Sequence, residues 1–592
     1  MRAGHKHWPG DTSFHVHLFF VRKARKMSSP SDKMYPSPAQ VALSRRSMLK
    51  TGSAGLTAAM IAGMTFPKSM GAQTPAASPA ASPAAPEWDM PTSVGEVPAK
   101  ELNGTVVVAV PGEPQSFQPN FQTDDYLWPI ACNIFNSLTS LDNSFNVIPE
   151  LATGYEVADD GLSITFTLNP LASWHDGTPL TSLDVKYTLE QIVSDKAAAA
   201  ATSLAAITSV DTPDPYTAIL RLSQPSASII GFLSWYGVFI LPAHIYQGTD
   251  WTTNPANQQP VGSGPFKFSS YSPGSSVELV ANEKYFGEGP FLEKLIFNII
   301  PDPNTQVQSL LNGEVDVLPS LPTAQVATVQ ATPGFKVSEK IYPSPIYFGF
   351  NCKKAPLDRV EVRRAIAQAV NRDQILETAL GGLGTISDRF YPAVIEWASN
   401  PDATAPAFDV DAANAALDEA GLPLNGDSRF ALKLYYFTGW AEVADTATVL
   451  KEQFAAIGVS LELVTLEIAS WEDQVRAGDS DLAMLGGFQG PDPANLAMRV
   501  GTDGTLNLWF YGNPEVDKLL KEGDEATTQE ERAPLYFKAQ ELLAQDVPIV
   551  QLVLQTSFIP FIDTLTGFWT DADDPASSKV GMNRFTLTKL EG

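Results

Sequence analysis

Residues with the usual catalytic chemistry are sparse in this chain. Of its 6 histidines, His5, His7, His15 and His17 fall at the start, leaving only His175 and His244 in the body. His175 stands beside Asp176 in the stretch WHDG, but adjacent side chains point apart and no nucleophile motif accompanies them. Gly-x-Ser-x-Gly, the phosphate loop Gly-x4-Gly-Lys-Ser/Thr and His-Glu-x-x-His are all missing. GLGTIS, from Gly382 to Ser387, opens like a dinucleotide fingerprint but lacks the last glycine and follows a helical pattern. Cys132 and Cys352 are too few and too far apart for a zinc motif or a disulfide framework; a single pairing and two buried free thiols both remain open. Carboxylates are abundant without ligand spacing. The residues therefore predict no catalysis, no cofactor and no bound metal, with a secreted hydrolase as the distant alternative.

A different chemistry is offered by GGFQGPDP, Gly486 to Pro493, which gathers glycines and prolines around one amide and one acid. Gln489 carries donors and an acceptor suited to hydroxyls, carbonyls or amides, and Asp492 could supply a charge. Phe488, Trp440 in YYFTGW and Trp509 in NLWFYGNP could add stacking surfaces, although most tryptophans serve the core. Gln115 and Phe117, in the loop after the first strand, complete the candidate ligand contacts.

These residues must be positioned by a large α/β body. With 592 residues the chain exceeds one ordinary core. GTVVVAV reads as a strand; SITFTL alternates Ile164, Phe166 and Leu168 with polar residues; TSLDVKYTLEQIVS reads as a helix capped by Thr181. VELVANEKYF and LEKLIFNIIP read as strands, and TQVQSLLNGEVDVL as a helix returning to a strand. VEVRRAIAQAVNRDQILETAL reads as one long amphipathic helix: Asp358 can cap it, Val362, Ile366 and Val370 share a face, and Arg363 and Arg364 are free to pair with acids. In GSGPF, Gly262 and Gly264 are predicted at positive φ, with Pro265 fixing the exit. Interleaved helices and strands without a short repeat define the α/β class.

The formal net charge is −27, and the first 72 residues hold 11 of the 39 Lys and Arg but only 2 of the 66 Asp and Glu. The body is thus strongly acidic, which speaks against nucleic acid and anionic membranes as partners. Arg45 and Arg46, then a weakly apolar Thr51–Phe66 run and small residues near Ala72, read as an export signal that resembles the twin-arginine pattern, with Met48 where Phe is usual. Residues 1–72 are thus an N-terminal extension and signal, and 73–100 a Pro, Ala and Ser linker. No cysteine follows for lipid attachment, so an exported protein is expected, in the periplasm or on the outer face of the cytoplasmic membrane, free or held by an uncleaved signal.

Several ordered blocks carry a family resemblance. PELATGYEVADDGLSITFTLNPLASWHDGTPLTSLDVKYTLEQI (149–192), PVGSGPFKFSSYSPGSSVELVANEKYF, FGFNCKKAPLDRVEVRRAIAQAVNRDQIL, DEAGLP and ERAPLYFKAQELLAQDVPIV resemble the solute-binding proteins of ABC transporters in family 5, the peptide and nickel group. The resemblance covers roughly residues 100–560. It implies a periplasmic-binding-protein-like fold of type II (cluster C): two lobes with a hinge and an inserted domain. Lobe I would comprise 101–140, 265–350 and 546–592, the inserted domain 141–264, and lobe II 351–545. It further implies a monomeric receptor that captures a peptide or similar polar solute and hands it to an ABC permease with its ATPase. An oligosaccharide is the alternative ligand and nickel fits least. In peptide-binding members an aspartate three residues before the Asp of Asp-Pro pairs with the peptide ammonium. Here Asp492 and Pro493 match Asp-Pro, and Gln489 stands where that aspartate would be.

Overall fold

The computed structural model describes residues 88–121, 126–142, 144–234, 238–567 and 584–591. The twin-arginine stretch and the linker up to residue 87 lie outside the described residues.

Two lobes are built around mixed sheets that share a pair of long strands, Phe335–Phe350 and Ile549–Ile562. In one lobe Thr105–Val110 lies parallel to Lys294–Ile299, followed by the antiparallel strands Ser276–Ala281 and Phe266–Ser272. Val317 bridges Val108 on one side and Phe561 on the other, stitching this sheet to the long pair. In the other lobe the order is Thr385–Ile386, Ile549–Ile562, Phe335–Phe350, Leu482–Gly486, Phe430–Phe437 and Val459–Leu466. Phe430–Phe437 and Val459–Leu466 run parallel, joined through the helix Ala441–Ala455, since parallel neighbours need a crossover. An antiparallel sheet, Ala152–Val157, Ser163–Leu168, Thr217–Leu222 and Ile207–Asp214, forms the inserted part with the helix Ser182–Ser194.

The long strands do not pair continuously. Their ladder runs to Ile341 opposite Thr556 and resumes at Pro345 opposite Leu554. YPSP, Tyr342 to Pro345, spans the break: Pro343 lacks an N–H donor within the unpaired Tyr342–Ser344 stretch. Ser344 Oγ donates to Gln555 Oε1 at 2.6 Å and holds the gap in register. Past it, Ile346, Phe348 and Phe350 turn to a core with Val362, Ile366, Leu450 and Phe454, while Tyr347 and Gly349 face the opposite side.

Several local expectations need correction. Gly262 and Gly264 are not at positive φ. They are required because a Cβ would lie 1.9 Å from the Ile134 carbonyl oxygen at Gly262 and 2.6 Å from that of Asn133 at Gly264. His175 secures this crossing, Nδ1 accepting from Gly262 N at 3.2 Å and Nε2 lying 3.0 Å from Gly264 O. The 360–380 segment is two helices, Val360–Gln368 and Arg372–Ala379, because Asn371 caps the second by accepting from Gln374 N at 3.0 Å. The first helix has Arg359 rather than Asp358 at its N-cap. Arg363 and Arg364 bind carbonyls instead of acids: Arg363 takes Asp546 O and Val547 O, and Arg364 takes Ala544 O and Gln545 O, at the end of the helix Gln529–Asp546. Exposed helix-end carbonyls carry partial negative charge, so guanidinium groups satisfy them well. TQVQSLLNGEVDVL forms a helix, Pro303–Leu311, that returns to the bridge at Val317 rather than a full strand. Neither Cys132 nor Cys352 is in a disulfide, so the open question of their pairing is answered.

Candidate functional site

The loop Gly486–Pro493 leaves the strand Leu482–Gly486 where the long strands break. Gln489 N donates to Pro343 O at 2.7 Å, using a carbonyl that the interrupted ladder leaves available. Tyr391 Oη donates to Gly490 O at 3.1 Å, and Arg499 donates to Phe488 O at 3.0 Å. The glycines admit close neighbours: a Cβ at Gly486 would lie 2.5 Å from the Trp440 ring, and one at Gly490 would meet the Asn495 amide at 1.7 Å. Gly487 and Gly490 also adopt positive φ, 108° and 79°.

Asp492 is buried and gripped at both oxygens by Arg532, at 2.8 and 2.7 Å, while Oδ1 also accepts from Ala494 N at 2.9 Å. The Arg532 guanidinium lies 5.2 Å from the Trp397 ring centre and 5.4 Å from that of Tyr536. The aspartate field and these hydrogen bonds outweigh burial and hold the Arg532 pKa above its usual range. With its oxygens engaged, Asp492 anchors the loop and has little left to offer a ligand.

Gln489 is in the opposite condition. Its side chain is 1% exposed, and neither Nε2 nor Oε1 has a hydrogen-bond partner. An unmet buried amide group costs about 1–3 kcal/mol, so this position calls for a polar partner.

Around the loop several parts of the chain meet. Phe145, in the turn between Thr139–Leu141 and Val147–Pro149, packs 6.4 Å from Phe488 and 6.5 Å from Tyr342. Lys340 Nζ stands 5.0 Å over the Phe145 ring, and burial pulls its pKa down to about 8 against the opposing pull of Asp142. Gly231, in the helix Ser228–Leu233, comes close to Pro491 and Asp492. Asp524 accepts from Ser228 N at 3.1 Å and Ser226 Oγ at 2.9 Å, tying that helix start to the second lobe.

The other sequence candidates separate from this group. Trp440 is half-buried at the N-cap of the helix Ala441–Ala455, its ring against Gly486 and 6.0 Å from Phe437. Trp509 is 1% exposed and covers Gly349, where a Cβ would lie 2.0 Å from its ring, so its face belongs to the core. Phe117 is buried against Phe268 and Tyr271, with ring centres 5.1 and 5.5 Å away. Gln115 is exposed, its carbonyl accepting from Gln258 at 3.4 Å. Arg532, Tyr391, Arg499 and Phe145 were not singled out from sequence. Only the YPSP break carried a local signal for where the loop docks.

The paired sheets, the shared broken strands and the loop at their crossing define a two-lobed binding protein. The chain belongs to the bacterial extracellular solute-binding proteins of family 5, whose middle-region model matches residues 146–506. A putative ABC transporter peptide-binding protein of Brucella ovis is 31% identical over 421 residues, which cover 66% of this chain and 76% of that one. The oligopeptide-binding protein AppA of Bacillus subtilis is 27% identical over 488 residues, covering 79% and 89%. The solved structure of HbpA2 from Haemophilus parasuis superposes with a TM-score of 0.73 at 25% identity, covering 82% of this chain and 100% of that one.

Proposed function

We propose that this protein is the exported receptor of an ABC importer, taking a peptide or a similarly sized polar solute between its lobes and delivering it as a monomer to a membrane permease. The lobes are assigned as 101–140, 265–350 and 546–592, with 141–264 inserted, and 351–545. The signal in 1–72 exports the chain, which is then free or held by the uncleaved signal through the 73–100 linker. Family membership and the peptide-binding names of its relatives support the peptide class.

The observation that carries the ligand reading is the unpartnered, buried Gln489 amide; the family resemblance implies that peptide-binding members have an aspartate at this point. A neutral amide satisfies a carbonyl or amide but cannot make the charge-assisted bond that a buried ammonium needs. Phe488 and Trp440 would contact the ligand beside it, with Asp492 positioning the loop. This receptor therefore takes peptides without requiring a free amino terminus.

A thermal-shift screen of tetrapeptides, their N-acetylated forms and oligosaccharides tests this reading. Equal stabilisation by free and acetylated peptides is expected. Stabilisation by sugars alone would remove the peptide reading and favour the oligosaccharide alternative, and dependence on a free terminus would remove the role given to Gln489.

A further inference from the structure

Five arginines are buried among the described residues: Arg363, Arg372, Arg499, Arg532 and Arg584. Arg532 pairs with Asp492 and Arg584 with Glu150. Arg363 makes four hydrogen bonds to carbonyls, and Arg372 donates to Gln551 O within the field of Asp388. Arg372 keeps Nη2 without a partner, and Arg499 is likewise only partly provided for. It is 7% exposed, Nε has no partner, one terminal nitrogen donates to Phe488 O at 3.0 Å, and the other reaches Asn495 O only at 3.4 Å. Among the described residues no carboxylate lies within ion-pair distance of it. Asp492, on the same loop, is engaged by Arg532.

The same arginine lines a cavity of about 440 Å³ between the second lobe and the inserted part. Its walls are mainly apolar, with Ala200 and Phe232 from the inserted part and Phe488, Met498 and Leu506 from the second lobe. Phe488 and Gly490 line it but Gln489 does not, so it is distinct from the amide position. A buried cation held by two carbonyls, with Tyr347 close by and no described carboxylate facing it, is costly, and the space beside it is large enough for a small organic group.

We infer that this cavity is an anion-binding subsite in which Arg499 takes a carboxylate or comparable oxyanion carried on a short apolar group. Guanidinium forms charge-assisted hydrogen bonds to such an oxyanion, and the apolar walls favour the group that carries it. Whether the anion belongs to the imported solute rests on the receptor reading; the affinity of the cavity itself does not.

The probes are 4-phenylbutyrate and the uncharged 4-phenylbutanol, titrated into the full chain by ligand-observed NMR and calorimetry. The acid is expected to bind at least about tenfold more tightly than the alcohol. Arg499→Met should abolish that preference while Arg499→Lys keeps part of it. Ala200→Phe, which fills the cavity and leaves Arg499 in place, should displace the acid and guards against a simple folding defect in the first variant. Equal binding of acid and alcohol, undiminished acid binding by folded Arg499→Met, or no binding at all would overturn the subsite. Each of these outcomes leaves the peptide screen unaffected, so failure of this inference is distinguishable from failure of the receptor reading.

Discussion

Breaking the Asp492–Arg532 pair should affect stability in an asymmetric way. Arg532→Met leaves a carboxylate at 5% exposure whose remaining described donor is Ala494 N. Removing one partner of a buried ion pair costs about 3–5 kcal/mol, because the other charge stays desolvated. For a lobe of roughly 200 residues each kcal/mol lowers Tm by about 2–4 °C, so a fall of roughly 6–20 °C is expected. Asp492→Asn should be milder. The arginine left behind still donates to Gly523 O at 2.8 Å and to Tyr536 Oη at 3.2 Å, and lies against two aromatic rings. The double variant should recover part of the larger loss. Urea unfolding followed by tryptophan fluorescence measures all four proteins and yields the coupling. If both single variants cost under about 1 kcal/mol, as exposed ion pairs do, the anchoring role of Asp492 is refuted. A larger cost for Asp492→Asn than for Arg532→Met would refute the asymmetry.

Gln489→Asp should restore a preference for free amino termini: a charge-assisted bond worth about 1.5–3 kcal/mol predicts a gain of roughly 10–100-fold for free over N-acetylated tetrapeptides. Calorimetry reads this ratio, and an unchanged ratio places Gln489 away from the peptide terminus. Burial holds the His175 pKa down from 6.5 to about 4, so its neutral form is the one the fold accommodates. Its contribution is fully present above the unfolded pKa and is lost as pH falls from about 6.5 towards 4, amounting to about 3 kcal/mol at most. The stability difference between wild type and His175→Gln should therefore narrow over that window, and a pH-independent difference would contradict the clamp at Gly262 and Gly264.

The elements that sequence read well are those whose signals are local. Ile164, Phe166 and Leu168 alternate inward within Ser163–Leu168 as their period requires. The Asp184 carboxylate accepts from Thr181 N at 2.9 Å, starting the helix that Thr181 announced. The glycines of GGFQGPDP admit Trp440 and Asn495, which is why the loop needs them. Errors arose where a distant neighbour decided the outcome. Gly262 and Gly264 meet the Asn133–Ile134 backbone, over 120 residues earlier in the chain. Arg363 and Arg364 answer helix-end carbonyls some 180 residues away, and no local pattern encodes such partners.

By itself the sequence determined the α/β class and the family, because periodicity, turn chemistry and ordered motifs are properties of short stretches. Only the tertiary structure decided which polar groups are satisfied. It gave Asp492 to Arg532, placed Trp509 over Gly349, and left Gln489 and part of Arg499 buried without partners. Desolvation and hydrogen-bond satisfaction depend on atoms that converge from remote segments, so they are fixed when the lobes pack and not before.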